Sequence, residues 1–190
     1  GGEFSNAYNI INEISGDFFS VDNIIIPNTK LKYSKYLPQL SSEFDLSNIL
    51  IYDNKNKYKN KIDKFLETDK ENSRYYFAKN SHFTIDLNSN TTLDVLNIDS
   101  VTYEYINING NTILFVPSLA DISKLPEKYR ICDYLLTDSN IKNGSLLSCK
   151  NLIFSGNESL LKTKYSSVAE LTDNIFTTSD GTLELVFNGG

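Results

Sequence analysis

Hydrophobic positions in the first eighty residues alternate between helical spacing and short apolar runs. Apolar side chains recurring every three or four residues predict helices at 7–14, 37–44 and 58–66. Runs rich in isoleucine, leucine and tyrosine predict strands at 23–27, 48–52 and 74–78. Because helices and strands alternate, this part of the chain is expected to form a parallel or mixed sheet covered by helices.

The middle of the chain changes to a period of two, which predicts two hairpins. Alternating runs at 82–87 and 92–96 flank a turn-rich Asn-Ser-Asn, and runs at 102–108 and 112–116 flank Asn109-Gly110. An Asn-Gly pair between two such runs is a strong hairpin signal, because a type I′ turn needs positive φ at both central residues.

After Val116 the alternation of helices and strands returns. The pattern predicts a helix at 121–129, strands at 132–137 and 151–155, a helical turn at 166–171, and a final hairpin of 174–178 with 182–187. The whole order predicts an α/β fold in which two mixed sheets pack face to face with helices outside. We expect a four-layer αββα sandwich formed by a single domain over 1–190.

Composition narrows the chemistry. The chain has 190 residues, a formal net charge of −6, one histidine and no methionine. A single histidine excludes sites that need two imidazoles, and the acidic balance argues against a dedicated nucleic-acid binder. No apolar run approaches the roughly 18 residues of a membrane span. Because residue 1 is not methionine, we expect the chain to be an N-terminally incomplete piece of a longer protein.

The two cysteines, Cys132 and Cys149, lie seventeen positions apart without a C-x-x-C pair or a nearby histidine. This spacing does not fit a zinc site. Two free buried thiols are favoured over a disulfide.

Several stretches together resemble one known family. They are VDNIIIPNTKLKYSKYLPQL at 21–40, LPQLSSEFDLSNILI at 37–51, the hairpin at 82–96, CDYLLT at 132–137, and IFTTSDGTLELVF at 175–187. In order and apolar pattern they resemble the metallo-β-lactamase-like domain at the C-terminus of ComEC-type competence proteins, a DNA-uptake channel family. The resemblance implies a metallo-β-lactamase-like sandwich that lacks the family's first hairpin.

The resemblance also implies where a metal would be held. Hydrolases of this superfamily bind zinc or manganese through an H-x-H-x-D-H loop and through later histidines and aspartates, and the metal generates hydroxide from water. The positions of this chain that match those ligands hold Asn28, Lys30, Lys32, Tyr33, Ser118, Ser139 and Asn140, and the final histidine falls near Lys164-Tyr165. Two of the loop positions are cations, which repel a dication. We therefore expect no metal cofactor and no catalytic residues of the family type.

Three functions follow from these residues. The first is a catalytically inactive relative of the family, with a structural or binding role. Its partner would be a membrane channel domain of the same parent protein, and the resemblance would place it at a membrane or outside the cytoplasm. The second is a hydrolase whose site is rebuilt from other residues. His82 is the one imidazole available to it, but Ser81 and His82 are adjacent on a strand and point to opposite faces. We interpret His82 as a structural or solvent-facing residue.

The third function is a module that binds single-stranded nucleic acid. Basic and aromatic side chains alternate in one loop, at Lys30, Lys32, Tyr33, Lys35 and Tyr36. Lysines could contact phosphates while tyrosines stack on bases. A solvated lysine surface accounts for the same pattern and is the favoured interpretation.

Overall fold

The computed structural model describes residues 8–9, 12, 20–26, 36–52, 73–77, 81–99, 101–118, 120–181 and 183–187. The chain divides into two compact units, 1–79 and 80–190. Tyr8, Asn9 and Asn12 are helical, as expected for the first predicted helix. The helix predicted at 58–66 lies outside the described residues, and the single domain over 1–190 stays a prediction.

The first unit contains a parallel three-stranded sheet in the order β1-β2-β3. Its strands are β1 (Ser20–Ile26), β2 (Asp45–Tyr52) and β3 (Ser73–Phe77), and helix α1 (Leu37–Glu43) connects the first two. Ile26, Leu37, Phe44, Leu46 and Ile49 form its buried core. The strands predicted at 23–27, 48–52 and 74–78 are therefore confirmed, with β1 and β2 each starting three residues earlier.

The second unit contains a seven-stranded sheet in the order β10-β9-β8-β7-β6-β5-β4. The strands are β4 (His82–Asn88), β5 (Thr91–Ile98), β6 (Val101–Ile108), β7 (Asn111–Val116), β8 (Ile131–Thr137), β9 (Ser148–Phe154) and β10 (Ile175–Thr177). Strands β4 to β7 form an antiparallel meander, whereas β7 to β10 pair in parallel. The large mixed sheet expected from the sequence is thus confirmed, while the described strands of the smaller sheet are all parallel.

Asn109 and Gly110 form the predicted tight turn between β6 and β7. Asn109 has φ 51° and Gly110 has φ 82°, as a type I′ turn requires. The Gly110 amide also donates a hydrogen bond to the Asn107 side chain at 2.9 Å. This turn fixes the register that pairs Ile108 with Asn111.

The main core lies on one face of the seven-stranded sheet, under helices α2 (Glu158–Lys164) and α3 (Ser166–Ala169). Helix α2 was not predicted from the apolar pattern. Its N-cap is Asn157, whose side chain accepts a hydrogen bond from the Leu160 amide at 2.7 Å. Leu161 of α2 is completely buried in this core. Among the described residues, no helix is both long and apolar enough to cross a membrane.

Two predicted elements are wrong. Residues 121–129 form two short 3₁₀ turns, Ile122–Lys124 and Glu127–Tyr129, instead of one helix. Pro126 explains the break, because a proline disfavours helical geometry in the residue before it, and Leu125 is extended at ψ 132°. The final hairpin is also absent from the described residues, since a 3₁₀ turn (Thr178–Asp180) follows β10 and 183–187 form no strand.

Glu104 is a partly buried residue in the middle of the sheet, and its carboxyl group is shielded from water. It lies on β6 between its cross-strand neighbours Val95 on β5 and Phe115 on β7. Burial among these apolar residues raises the pKa of Glu104 to about 7.

Asn97, which is 1 % exposed, carries an amide without a hydrogen-bond partner among the described residues.

We predict that Glu104→Gln stabilises the protein at pH 8 but not at pH 4. The raised folded-state pKa means that the protonated carboxyl stabilises the fold at low pH, and this stabilisation is lost as the pH rises through about 7. Glutamine does not ionise, so it removes a penalty of roughly 3 kcal/mol at pH 8. Urea unfolding at both pH values measures the change, with exposed Glu184→Gln as the control. The same pH dependence in both variants would contradict the burial of Glu104.

Candidate functional site

Three of the positions that the resemblance assigns to a metal site follow the carboxyl ends of β7 and β8, beside the end of β9. Val116 pairs with Thr137, and Thr137 pairs with Phe154, so the three parallel strands end in one row. Ser118 follows β7 and Ser139 follows β8. Both side chains therefore belong to the same edge of the sheet, which in parallel sheets is where strand-following loops carry functional residues.

Asn140 connects this edge to the helix above it. Its side-chain amide donates a hydrogen bond to the Lys164 carbonyl at 3.5 Å. Lys164 is the last residue of α2, and it is also where the final ligand of the family pattern would fall. Asn140 and Lys164 are 24 residues apart in the sequence, and this hydrogen bond makes them neighbours in the fold.

The positions in the loop after β1 cannot be placed in the same way. Strand β1 ends at Ile26, and Asn28, Lys30, Lys32, Tyr33 and Lys35 lie outside the described residues. Tyr36 is described, and it forms the N-cap of α1 without a side-chain capping bond. The role of this loop in metal loss or nucleic-acid binding stays a prediction.

A pair of loops behind Ser118 and Asn140 is held together by Asp121. One carboxylate oxygen accepts hydrogen bonds from the Ser123 hydroxyl and the Asn143 amide, both at 2.7 Å, and the other pairs with Lys142 at 3.2 Å. Hydrogen bonds from Ser123 and Asn143, with that of Lys142, hold the pKa of Asp121 far below its usual value. The carboxylate therefore stays ionised and binds the loop after β7 to the loop after β8.

The chemistry of this edge does not fit a zinc or manganese centre. Ser118, Ser139 and Asn140 offer only neutral hydroxyl and amide groups, whereas such metals take imidazole, thiolate and carboxylate ligands. The Ser139 hydroxyl is buried and has no hydrogen-bond partner among the described residues. Across the same residues, no group of three or more His, Cys, Asp or Glu side chains could hold a metal ion.

A second polar cluster surrounds His82, and sequence reasoning missed its other members. Nε2 of His82 lies 2.9 Å from Oδ1 of Asp94 and 3.0 Å from the Tyr129 hydroxyl. Thr84 donates to Asp94 at 2.5 Å, and Tyr129 donates to it at 3.1 Å. His82 is thus partly exposed and hydrogen-bonded, as expected of a structural histidine. The contact between Thr84 and Asp94 could have been predicted from the pairing of the first hairpin, because the two residues face each other across it.

Asp94 is ionised in this cluster. Its partial burial alone would raise the pKa, but hydrogen bonds from Thr84, His82 and Tyr129 lower it below the usual value. Tyr129 is only 2 % exposed, and burial raises its pKa, so the phenol keeps its proton. The Asp94 carboxylate consequently accepts hydrogen bonds, and the Tyr129 hydroxyl donates one of them.

The opposite end of the parallel strands forms a cleft of about 340 Å³. Both cysteines line it, and they are cross-strand neighbours on β8 and β9. The prediction of free thiols is confirmed, with Cys132 buried and Cys149 partly buried. Burial raises the pKa of Cys132 to about 12, which leaves it protonated and unreactive.

Solved structures share this architecture. PqqB from Methylobacterium extorquens, in its Zn²⁺-bound form, aligns with a TM-score of 0.57 and 14 % identity, over 86 % of this chain and 71 % of PqqB. The metallo-β-lactamase fold protein YhfI from Bacillus subtilis aligns with a TM-score of 0.49 and 12 % identity, over 83 % of this chain and 74 % of YhfI. The likeness to PqqB concerns the fold alone, and it confirms the metallo-β-lactamase-like α/β fold expected from the sequence.

Neither a family model nor a curated protein matches the sequence. The chemistry of the chain must therefore be argued from its own residues.

We predict that Ser139→Ala leaves stability unchanged or slightly raised, whereas Thr137→Val lowers it. The Ser139 hydroxyl has no partner among the described residues, so its removal breaks no bond. The buried Thr137 hydroxyl bonds to the backbone of Ser139 on both sides, and its loss costs about 1 kcal/mol. Urea unfolding of both variants measures the difference. A loss in Ser139→Ala as large as in Thr137→Val would mean that the Ser139 hydroxyl holds the edge together.

Proposed function

We propose that this chain is a metallo-β-lactamase-fold domain without a hydrolytic metal centre, and that it has a structural or binding role. The observation that carries the proposal is the edge where β7 and β8 end. Ser118 follows β7 there, Ser139 and Asn140 follow β8, and the sequence resemblance matches these three residues to metal ligands of the family. Neutral side chains at these three positions, with Asp138 as the one carboxylate between Thr137 and Ser139, support a loss of the metal-activated hydroxide on which hydrolysis depends.

The local packing at the edge supports the same proposal. Asn140 uses its amide to donate to the backbone of Lys164, so this side chain is engaged in holding α2. The loops behind it are held by the ionised Asp121. These hydrogen bonds connect the loops and α2 without a metal ion.

The biological setting in this proposal comes from the sequence resemblance. A domain similar to that of ComEC-type competence proteins would be attached to a membrane channel of the same parent protein and act in DNA uptake, at a membrane or outside the cytoplasm. Its partner would then be the channel domain. The Lys30–Tyr36 loop is the place where the same proposal admits contact with single-stranded DNA.

We predict no metal-dependent hydrolysis by the purified chain. Bis(p-nitrophenyl) phosphate and a fluorescent single-stranded DNA serve as substrates, each with added Mn²⁺ or Zn²⁺. The expected rate equals that of the metal-containing buffer, because no described residue set can hold the ion. Asn140→Ala is the matched variant. Turnover that requires metal and disappears in this variant would refute the proposal.

The nucleic-acid alternative makes a separate prediction. If the favoured interpretation of a solvated lysine surface is correct, single-stranded DNA shows no saturable binding at low salt. The triple change Lys30→Glu, Lys32→Glu, Lys35→Glu then has no effect. A double change of the exposed Lys162 and Lys164 to Glu, compared with Lys30→Glu, Lys32→Glu, controls for net charge. Binding that is lost in the loop variants but not in the control variant would replace the structural role with a nucleic-acid-binding one.

A further inference from the structure

The cleft at the starting ends of β7, β8 and β9 is a separate feature of the second unit. Thr112, Asp133 and Lys150 line it, and each lies within the first three residues of its strand. Because the three strands are parallel, this cleft and the Ser118–Ser139 edge lie at opposite ends of the sheet. Its volume of about 340 Å³ is within the range of small-molecule sites.

The negative charge in the cleft is already neutralised. One oxygen of Asp133 accepts hydrogen bonds from the amide and hydroxyl of Thr112, at 2.8 and 2.9 Å. The other oxygen pairs with the Lys150 ammonium at 2.6 Å. Hydrogen bonding to Lys150, together with that from Thr112, lowers the pKa of Asp133 and keeps this pair ionised.

Lys128 adds a second positive charge to the cleft, and this ammonium is hydrogen-bonded to Tyr129 and attracted by the more distant Asp94 carboxylate. Its ammonium lies 4.5 Å from the centre of the Tyr129 ring. No carboxylate of the described residues forms an ion pair with it. The cleft therefore carries a net positive charge, with Lys128 at its wall.

A rigid aromatic support holds that charge in place. The Tyr129 hydroxyl is bonded to His82 and Asp94, and its ring packs edge-on against Tyr105 at 5.2 Å. The Tyr105 hydroxyl in turn donates to the Ile131 carbonyl at 3.2 Å. The His82 cluster thus has a role in the cleft, because it fixes the ring on which the Lys128 ammonium lies.

The cleft also has an apolar wall. Ile131 is 67 % exposed, although it is a large apolar residue at the start of a strand. An aromatic or aliphatic group of a ligand would cover this side chain and remove apolar area from water.

We propose that this cleft binds a small organic anion that carries an apolar group, with the anionic oxygens at Lys128 and the apolar group against Ile131. The Lys128 ammonium and the exposed Ile131 side chain both line this one small volume. A phosphate monoester and a carboxylate share this chemistry. The inference goes beyond the proposed loss of the metal centre, and it does not depend on it, because the two features share no residue.

Titration of the isotopically labelled full chain at low salt, followed by amide NMR shifts, tests the proposal. Phenyl phosphate and benzoate distinguish the two anion types, while phenol and inorganic phosphate each lack one half of the ligand. We expect saturable shifts around Lys128 and Ile131 with at least one of the two complete ligands. Phenol and inorganic phosphate should both bind more weakly than that complete ligand.

Three variants sharpen the result. Lys128→Gln should weaken binding of the complete ligand roughly fivefold, the size expected for one partly exposed charge. Lys162→Gln, which removes an equal charge on α2, should leave it unchanged. Ile131→Ser should weaken phenyl phosphate or benzoate but not inorganic phosphate.

The opposite results overturn the proposal. They are the absence of saturable shifts with either complete ligand, equal weakening by Lys128→Gln and Lys162→Gln, or binding of inorganic phosphate as tight as that of phenyl phosphate. Unchanged shifts elsewhere in the spectra of the variants verify that each one is folded.

Discussion

Parallel, in-register pairing of β7, β8 and β9 is the constraint on which the second unit depends. Because of this pairing, the last residues of the three strands lie side by side at one edge of the sheet, and their first residues lie side by side at the other. The loops that follow the strands thereby share one edge, with Ser118 and Ser139, and the first residues share the other, with Asp133 and Lys150. Side-chain chemistry at either edge can change while this backbone pairing, and with it the fold, is preserved.

Buried apolar residues explain why the pairing survives such changes. Leu114, Leu135 and Leu152 occupy one row across the three strands, and all are completely buried. Burying such a side chain contributes about 2 kcal/mol each. Ser118, Ser139 and Asn140 are less buried than these leucines, so we expect substitutions at that edge to destabilise the fold less. A fold of this kind is therefore a poor guide to activity.

The apolar pattern predicted the strands well, since period and length are local properties. It also located the type I′ turn at Asn109-Gly110, because only a few residue types accept positive φ. It failed at 121–129, where Pro126 divides an apolar stripe into two 3₁₀ turns. The His82 cluster was missed because Tyr129 lies 47 residues from His82, and no local spacing reports such a contact. The edge positions were assigned by resemblance alone, and that assignment stays a prediction.

The central proposal is that this metallo-β-lactamase-like fold has no hydrolytic metal centre. Its most direct test is the metal content of the purified chain, measured by inductively coupled plasma mass spectrometry after incubation with Zn²⁺ and Mn²⁺ and removal of free ions. The account predicts far less than one ion per chain. One ion per chain that is lost when Ser139 and Asn140 are changed to alanine would contradict it.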